Sequence, residues 1–336
     1  MLEHGGRLTL AAAKYGIPLE EWLDLSTGIN PNSWPVPAVP ALLWSRLPED
    51  DDDELEQAAR DYYGAETILP VAGSQAAIQV LPRLRQPCRV GVMHPGYAEH
   101  AHAWQCAGHH VLQIAMETVD NAVQQLDVLV IIHPNNPTGA RFSVGQLLSW
   151  HEQLSSRGGW LVVDEAFMDA TPERSLVPFS ARSGLIVLRS LGKFFGLAGA
   201  RVGFVCAQIE FLEQLKFLLG PWTVNAPARW VANRVLRDQA WQQAAREQLL
   251  RDGIRLHELL TQYGLVSSGG CALFQWINTA QAVYLHDKFA TQGILTRLFL
   301  EPSSLRFGLP GSEQEWQRLD SALALLTESE PVEVNQ

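Results

Sequence analysis

Lys193, Asp164, Asn136 and Arg201 are the side chains of this sequence whose types and spacing best suit chemistry, because all four follow closely on short apolar runs. Residues 126–132 lead into His133-Pro134-Asn135-Asn136-Pro137-Thr138-Gly139. Residues 160–163 lead into Asp164-Glu165-Ala166-Phe167, and 185–188 into Arg189-Ser190-Leu191-Gly192-Lys193, with Arg201 eight residues further on. Ligands of open parallel sheets bind outside the carboxyl ends of the strands, so these exits would bring an amide, a carboxylate, an amine and a guanidinium to one edge. An amine with a lowered pKa can act as a nucleophile. Singly, each has a plainer reading: Asn-Pro-Thr-Gly as a turn, Asp164 as a helix cap, Lys193 as a solvated loop residue. Their joint occurrence in this order is what points to a site.

Two further segments belong to the same question. Gly73-Ser74-Gln75 opens a helical run over 76–81, and backbone N–H groups with a hydroxyl at a helix start can cradle an anion or simply cap the helix. Tyr97, in His94-Pro95-Gly96-Tyr97, is an aromatic for ring stacking or for the core.

The elements that would position these groups alternate along the chain. Apolar runs at 89–93, 126–132, 160–163, 185–188 and 202–206 are short, rich in Val, Ile or Leu, and separated by helical patterns such as 143–154. That alternation predicts an α/β fold with a mostly parallel central sheet covered on both faces. A helical pattern follows over 230–262, then strands at 272–277 and 304–307 and a helix at 313–326, which reads as a smaller α+β domain. The division expected is an amino-terminal arm over 1–40 with a helix near 8–15, a large domain over 41–230 and a small domain over 231–330. The acidic run Glu49 to Glu54 precedes a helical pattern and reads as a solvated helix entrance.

With 336 residues the chain is long enough for two domains. Acids outnumber bases 36 to 25, for a net charge of −11, which argues against nucleic acid as a partner and requires any anionic substrate to find a locally positive pocket. No signal peptide or membrane span is expected. Cys88, Cys106, Cys206 and Cys271 are scattered, which suits free thiols in the cytoplasm. His94, His100, His102, His109 and His110 lack the spacing of a metal site, and no metal is expected.

The order Asn135–Gly139, Asp164–Phe167, Ser190–Arg201 resembles the class I/II aminotransferases, which are fold-type I pyridoxal-phosphate enzymes, and the likeness spans nearly the whole chain. It implies pyridoxal 5'-phosphate as cofactor. Lys193 would form the Schiff base, Asp164 would pair with the ring nitrogen and Asn136 would donate to the phenolic oxygen. Tyr97 would stack on the ring, and Gly73, Ser74, Gln75, Ser190 and Arg201 would hold the phosphate. The family usually has a Tyr where Phe167 stands, and relatives often have a Tyr where Leu47 stands.

His4-Gly5-Gly6 followed by Leu23-Asp24-Leu25-Ser26-Thr27-Gly28-Ile29-Asn30-Pro31 is similar to the amino-terminal signature of threonine-phosphate decarboxylases, enzymes that make the aminopropanol phosphate linker of cobalamin. That resemblance implies a small phosphorylated amino-acid substrate and a carbon–carbon lyase reaction. Arg306 would bind an acidic substrate group, with Arg297 and His4 as further cations, and Gly28 and Asn136 lying against the substrate. Some decarboxylases carry Asn where Gly28 stands. The other readings are a histidinol-phosphate aminotransferase on the same fold and a non-catalytic homologue that keeps the fold. The resemblance also implies a homodimer.

Overall fold

Val128–Ile132 is five apolar residues in a row, all buried. A strand without a polar side belongs in the interior of a sheet covered on both faces. The computed structural model, which describes residues 4–49 and 54–329, places it there. The described residues form two compact units, one of 33–49, 54–136 and 140–246, the other of 4–32, 137–139 and 247–329.

In chain order the elements are α1 (Leu8–Tyr15) and β1 (Leu23–Asp24), then α2 (Leu55–Tyr63), β2 (Leu69–Val71), α3 (Ser74–Val80), β3 (Arg89–Met93), α4 (Ala98–Cys106), β4 (His110–Ile114), α5 (Val119–Ala122) and β5 (Val128–Ile132). They continue with α6 (Val144–Ser155), β6 (Trp160–Asp164), β7 (Leu185–Ser190), β8 (Gly203–Cys206), α7 (Ile209–Leu219), α8 (Ala226–Arg237) and α9 (Gln239–Gln262). The last are β9 (Gly269–Cys271), β10 (Phe274–Asn278), α10 (Ala282–Ala290), β11 (Ile294–Leu295), β12 (Arg297–Leu300), β13 (Ser303–Gly308) and α11 (Glu313–Ser329).

The larger unit is built on a seven-stranded sheet of order β2-β8-β7-β6-β5-β3-β4. The five strands β4, β3, β5, β6 and β7 are parallel, while β8 is antiparallel to both neighbours. Side chains alternate along strands, so Val128, Val130, Val162, Ile186 and Leu188 share one face. There they form a core cluster with Ala77 and Ile78 of α3, Ala103 and Trp104 of α4, and Leu212 and Leu215 of α7. The alternation continues past the core. Asp164 follows Val162, and Ser190 follows Leu188, onto the face that α3 and α4 cover. Glu165 and Arg189 fall on the other.

The smaller unit holds a four-stranded antiparallel sheet of order β12-β13-β10-β9 and a two-stranded parallel pair, β1 with β11. Its arm is fixed by hydrogen bonds within the signature noted above. Gly6 N–H donates to Ser26 Oγ at 2.7 Å, and Ser26 Oγ–H donates to Asp24 Oδ1 at 2.6 Å. A Cβ on Gly5 would collide with the Ser26 carbonyl, so the close pass of the two segments requires glycine there.

The helical pattern expected over 230–262 is two helices. Asp238 interrupts it: its Oδ1 accepts Trp241 N–H at 3.1 Å, capping α9, and its Oδ2 accepts Trp34 Nε1–H at 2.9 Å. A side chain that caps competes with the backbone ladder, which breaks the run. The strand expected over 202–206 is present as β8, but antiparallel, and the edge strand β4 carries no continuous apolar run that would have signalled it. Of the acidic run Glu49 to Glu54, residues 50–53 lie outside the described residues.

Ser143 caps α6 by accepting Gln146 N–H at 3.1 Å. Ser143→Ala is expected to lower stability by about 1 kcal/mol in urea unfolding, and Ser143→Asp to retain it.

Candidate active site

The carboxyl ends of β5, β6 and β7 open onto one cleft in the larger unit, lined by Ser74, Gln75, Tyr97, Asn136, Asp164, Phe167, Ser190, Lys193 and Arg201. Eight of the nine residues expected to hold the cofactor therefore come together. The ninth, Gly73, precedes α3 with φ +73°, and a Cβ there would run into the Arg201 guanidinium. Glycine is needed so that the backbone and the guanidinium can approach each other.

Asp164 is buried and fully engaged. Its Oδ1 accepts Ala166 N–H at 3.0 Å, and His100 Nε2 lies 2.9 Å from its Oδ2. The imidazole is buried on α4, so each carboxylate oxygen has a fixed hydrogen-bond partner in place of water. The spacing Tyr97 to His100 is one helical turn, which puts His100 on the same side as Tyr97 (ring centroids 6.2 Å apart). That i, i+3 relation was the signal in the sequence for His100, a residue weighed there only as a metal ligand. Among the described residues no group of three His, Cys, Asp or Glu could hold a metal ion.

Tyr97 O–H donates to Gln75 Oε1 at 3.1 Å, and Gln75 Nε2–H donates to Glu99 Oε2 at 3.0 Å. The Gln75 side chain thus braces Tyr97, while its backbone belongs to the first turn of α3. Burial, with Glu99 and Asp164 nearby, pushes the Tyr97 phenol up to about 12.

Lys193 sits in the loop after β7 with its Nζ 5.7 Å from the centre of the Phe167 ring. The next two residues anchor the loop: Phe194 and Phe195 are completely buried, and Phe195 stacks on Trp241 with centroids 5.8 Å apart. Ser190 Oγ accepts Gly192 N–H at 3.2 Å, and Arg201 holds a left-handed backbone (φ 53°). The lining thus brings together the acid Asp164, the amine of Lys193, and Ser74, Ser190 and Arg201. This donor set fits a flat aromatic aldehyde that bears a basic ring nitrogen and a phosphate.

The smaller unit holds the other expected residues. The register of β12 and β13 sets Arg297 directly opposite Arg306. Arg306 is buried, donates from Nη2 to the Ser26 carbonyl at 2.8 Å, and has its pKa pushed down to about 10 by burial and by Arg297. His4 and Arg297 line one pocket with Arg7, Lys14 and His286, three bases the sequence reading had not singled out. No carboxylate is among the described residues that line it. Like charges directly opposite on paired strands repel, and an anion bound between them relieves that repulsion. Gly28 is buried in the loop after Ser26 and does not line the pocket.

The family model of aminotransferase class I and II matches residues 44–323. The chain belongs to this family. It is 57% identical over 323 residues to a threonine-phosphate decarboxylase of Pseudomonas aeruginosa, covering 96% of this chain and 97% of that protein. It is 39% identical over 327 residues to a threonine-phosphate decarboxylase of Sinorhizobium sp., covering 96% and 97%. Its fold matches a histidinol-phosphate aminotransferase of Sinorhizobium meliloti solved with pyridoxal-5'-phosphate, with a TM-score of 0.82 at 17% identity, covering 98% of this chain and 99% of that one.

The raised Tyr97 pKa has a defined sign. The neutral phenol contributes stability in full below an unfolded pKa of about 10, and that contribution is lost as pH rises through about 12. Difference absorbance near 295 nm between wild type and Tyr97→Phe should therefore show no phenolate from Tyr97 at pH 10, where a solvated tyrosine is half ionised.

Proposed function

We propose that this chain is a pyridoxal-phosphate-dependent decarboxylase that converts L-threonine O-3-phosphate to (R)-1-amino-2-propanol O-2-phosphate and CO2, a lyase reaction serving cobalamin biosynthesis. The observation that carries this reading is the 57% identity to a threonine-phosphate decarboxylase along 96% of the chain. The donor set of the cleft agrees with it.

Lys193 would hold the cofactor's aldehyde carbon through Nζ. Asp164, fixed by His100 and by Ala166 N–H, would hold the proton on the ring nitrogen, Tyr97 would stack on the ring, and Asn136 would donate to the phenolic oxygen. Phe167 has no hydroxyl to add a second donor there. Ser74, Ser190 and Arg201 would bind the phosphate, with Gly73 leaving the space. When bound, pyridoxal phosphate supplies the electron sink for the charge left on Cα as CO2 departs. Lys193 Nζ would then return a proton to Cα.

Arg297, Arg306 and His4 are the residues proposed for the substrate's phosphate. An arginine pair occupied by phosphate leaves the substrate carboxylate outside the clamp and able to leave as CO2. The catalytic effect is one of positioning. Arg–phosphate pairing is short, charge-assisted and often bidentate. The chain is proposed to act as a cytoplasmic homodimer. Cys88, Cys106, Cys206 and Cys271 form no disulfide, which supports the compartment; the dimer is what the likeness to the family implies. No described helix is long and apolar enough to cross a membrane.

Purified protein given threonine phosphate should release CO2 without consuming an oxo-acid. Amino exchange between histidinol phosphate and 2-oxoglutarate in place of CO2 release would instead make it the aminotransferase. Lys193→Ala should lose the borohydride-reducible cofactor adduct and about 10³-fold in turnover. Arg297→Ala should raise KM for threonine phosphate about 10- to 100-fold, the equivalent of ~1.5–3 kcal/mol for a charge-assisted hydrogen bond. Sedimentation should give a mass of two chains.

A further inference from the structure

The strands that present Asp164 and Ser190 are tied together, on the opposite face of the sheet, by a buried ion cluster. The ladder between β6 and β7 has its last residue pair at Asp164 and Leu188, and one more bond follows, from Glu165 N–H to the Leu188 carbonyl at 2.9 Å. Beyond it the next tie between the two chain segments is ionic. Arg189 Nη1 donates to Glu165 Oε2 at 2.7 Å, and Nη2 donates to Asp169 Oδ1 at 2.9 Å. None of the three is more than 1% exposed.

The rest of the cluster fixes Glu165 from its other side. Leu176 N–H donates to Oε1 at 2.7 Å and Ser175 O–H to Oε2 at 2.5 Å. Tyr62 O–H donates to Asp169 Oδ1 at 3.0 Å. Among the described residues, Arg189 Nε and Asp169 Oδ2 are the atoms of the cluster left without a hydrogen-bond partner.

Stability does not account for such a cluster. Removing three charged groups from water costs more than their attraction returns unless geometry is excellent, and apolar replacements of similar volume are often as stable. What the ions add over apolar side chains is a fixed distance and direction between two backbone segments. Glu165 is the next residue after Asp164, and Arg189 the residue before Ser190. A shift of either segment would move the Asp164 carboxylate relative to the loop that carries Lys193.

We propose that Glu165 and Arg189 are positioning residues, a strut that sets the separation between the Asp164 carboxylate and the Ser190–Lys193 loop. The strut does not touch cofactor or substrate. It acts by keeping Asp164 in line with the ring nitrogen while Lys193 holds the far side of the same group. This rests on the roles proposed above for Asp164 and Lys193.

The test compares holoenzymes of wild type, Glu165→Gln, Arg189→Met and Arg189→Lys with Tyr62→Phe, which loosens the same cluster at its far end. The readouts are the dissociation constant for pyridoxal phosphate and the pH midpoint of the bound cofactor's visible absorbance, with each thermal midpoint recorded alongside. Glu165→Gln and Arg189→Met are expected to weaken cofactor binding about ten-fold, as loss of an outer orienting partner does, and to move the pH midpoint by about half a unit. Arg189→Lys should recover part of both effects, and Tyr62→Phe should lower the thermal midpoint while leaving both in place. An unmoved midpoint in Glu165→Gln, or an equal movement in Tyr62→Phe, would overturn the strut. If Arg189→Met does not fold, Arg189→Lys decides alone, an intermediate shift supporting the proposal and a wild-type midpoint refuting it. Wild-type protein that binds no cofactor would sink the reading of the site; wild-type protein with a normal band and unmoved variants would sink only the strut.

Discussion

A carboxylate buried in the end of a sheet needs hydrogen-bond partners in place of water, and in this protein one partner is an imidazole 2.9 Å away. That single contact constrains much else. It fixes α4 over the carboxyl end of β6, because His100 sits on α4 and Asp164 ends β6. It fixes Tyr97, one turn earlier on the same element, against the same cleft. Through Tyr97 it draws in Gln75, at the start of α3, and Glu99, on α4 itself. Two helix starts and one strand end are thereby set by the need to keep one buried carboxyl group hydrogen-bonded without water.

The same sheet separates chemistry from support by strand alternation. Positions of one parity, Val162 and Asp164 on β6 with Leu188 and Ser190 on β7, pass from core to cleft along one face. Positions of the other parity end in Glu165 and Arg189, which meet each other and Asp169. Because the period of a strand is two, a slip of one residue in either strand would exchange the two sets. The acid would then face the ion cluster, and Glu165 would face the cleft. Packing of the Val162–Leu188 face on α3 and α4 is therefore also what keeps the correct carboxylate in the site.

Much of this could be read from the chain alone, for identifiable reasons. The strands β3, β5, β6 and β7 are apolar on both faces and bounded by polar turns, so their positions and exits were legible, and with them Asn136, Asp164 and Lys193. β4 was not, because His110–Ile114 lies at the edge of the sheet and mixes polar with apolar residues. The antiparallel sense of β8 was not, because direction leaves no mark on composition. The break at Asp238 was hidden by helix-forming residues on both sides. His100 was hidden by its neighbours: in a segment with His94, His102, His109 and His110, a histidine facing a carboxylate one strand away looks like any other. Arg7, Lys14 and His286 were missed because convergence of α1, α10 and β12 on one pocket is a tertiary fact.

The cations of the smaller unit show how an acidic protein can still favour an anionic substrate. Net charge sets the average field, but the local field depends on which charges are desolvated and close. Arg306 is held at a pKa of about 10, below the usual guanidinium range, by burial first and by Arg297 opposite it on the neighbouring strand. It stays charged at neutral pH, yet its charge is less stable folded than it would be in water. An anion near the two guanidiniums would ease both penalties, adding negative charge beside Arg306 and screening it from Arg297. A phosphate with two negative charges would do so more fully than a carboxylate with one. A preference of these two arginines for a doubly charged anion would follow from their mutual repulsion, and the net −11 of the chain would oppose it only weakly through solvent that screens beyond about 10 Å.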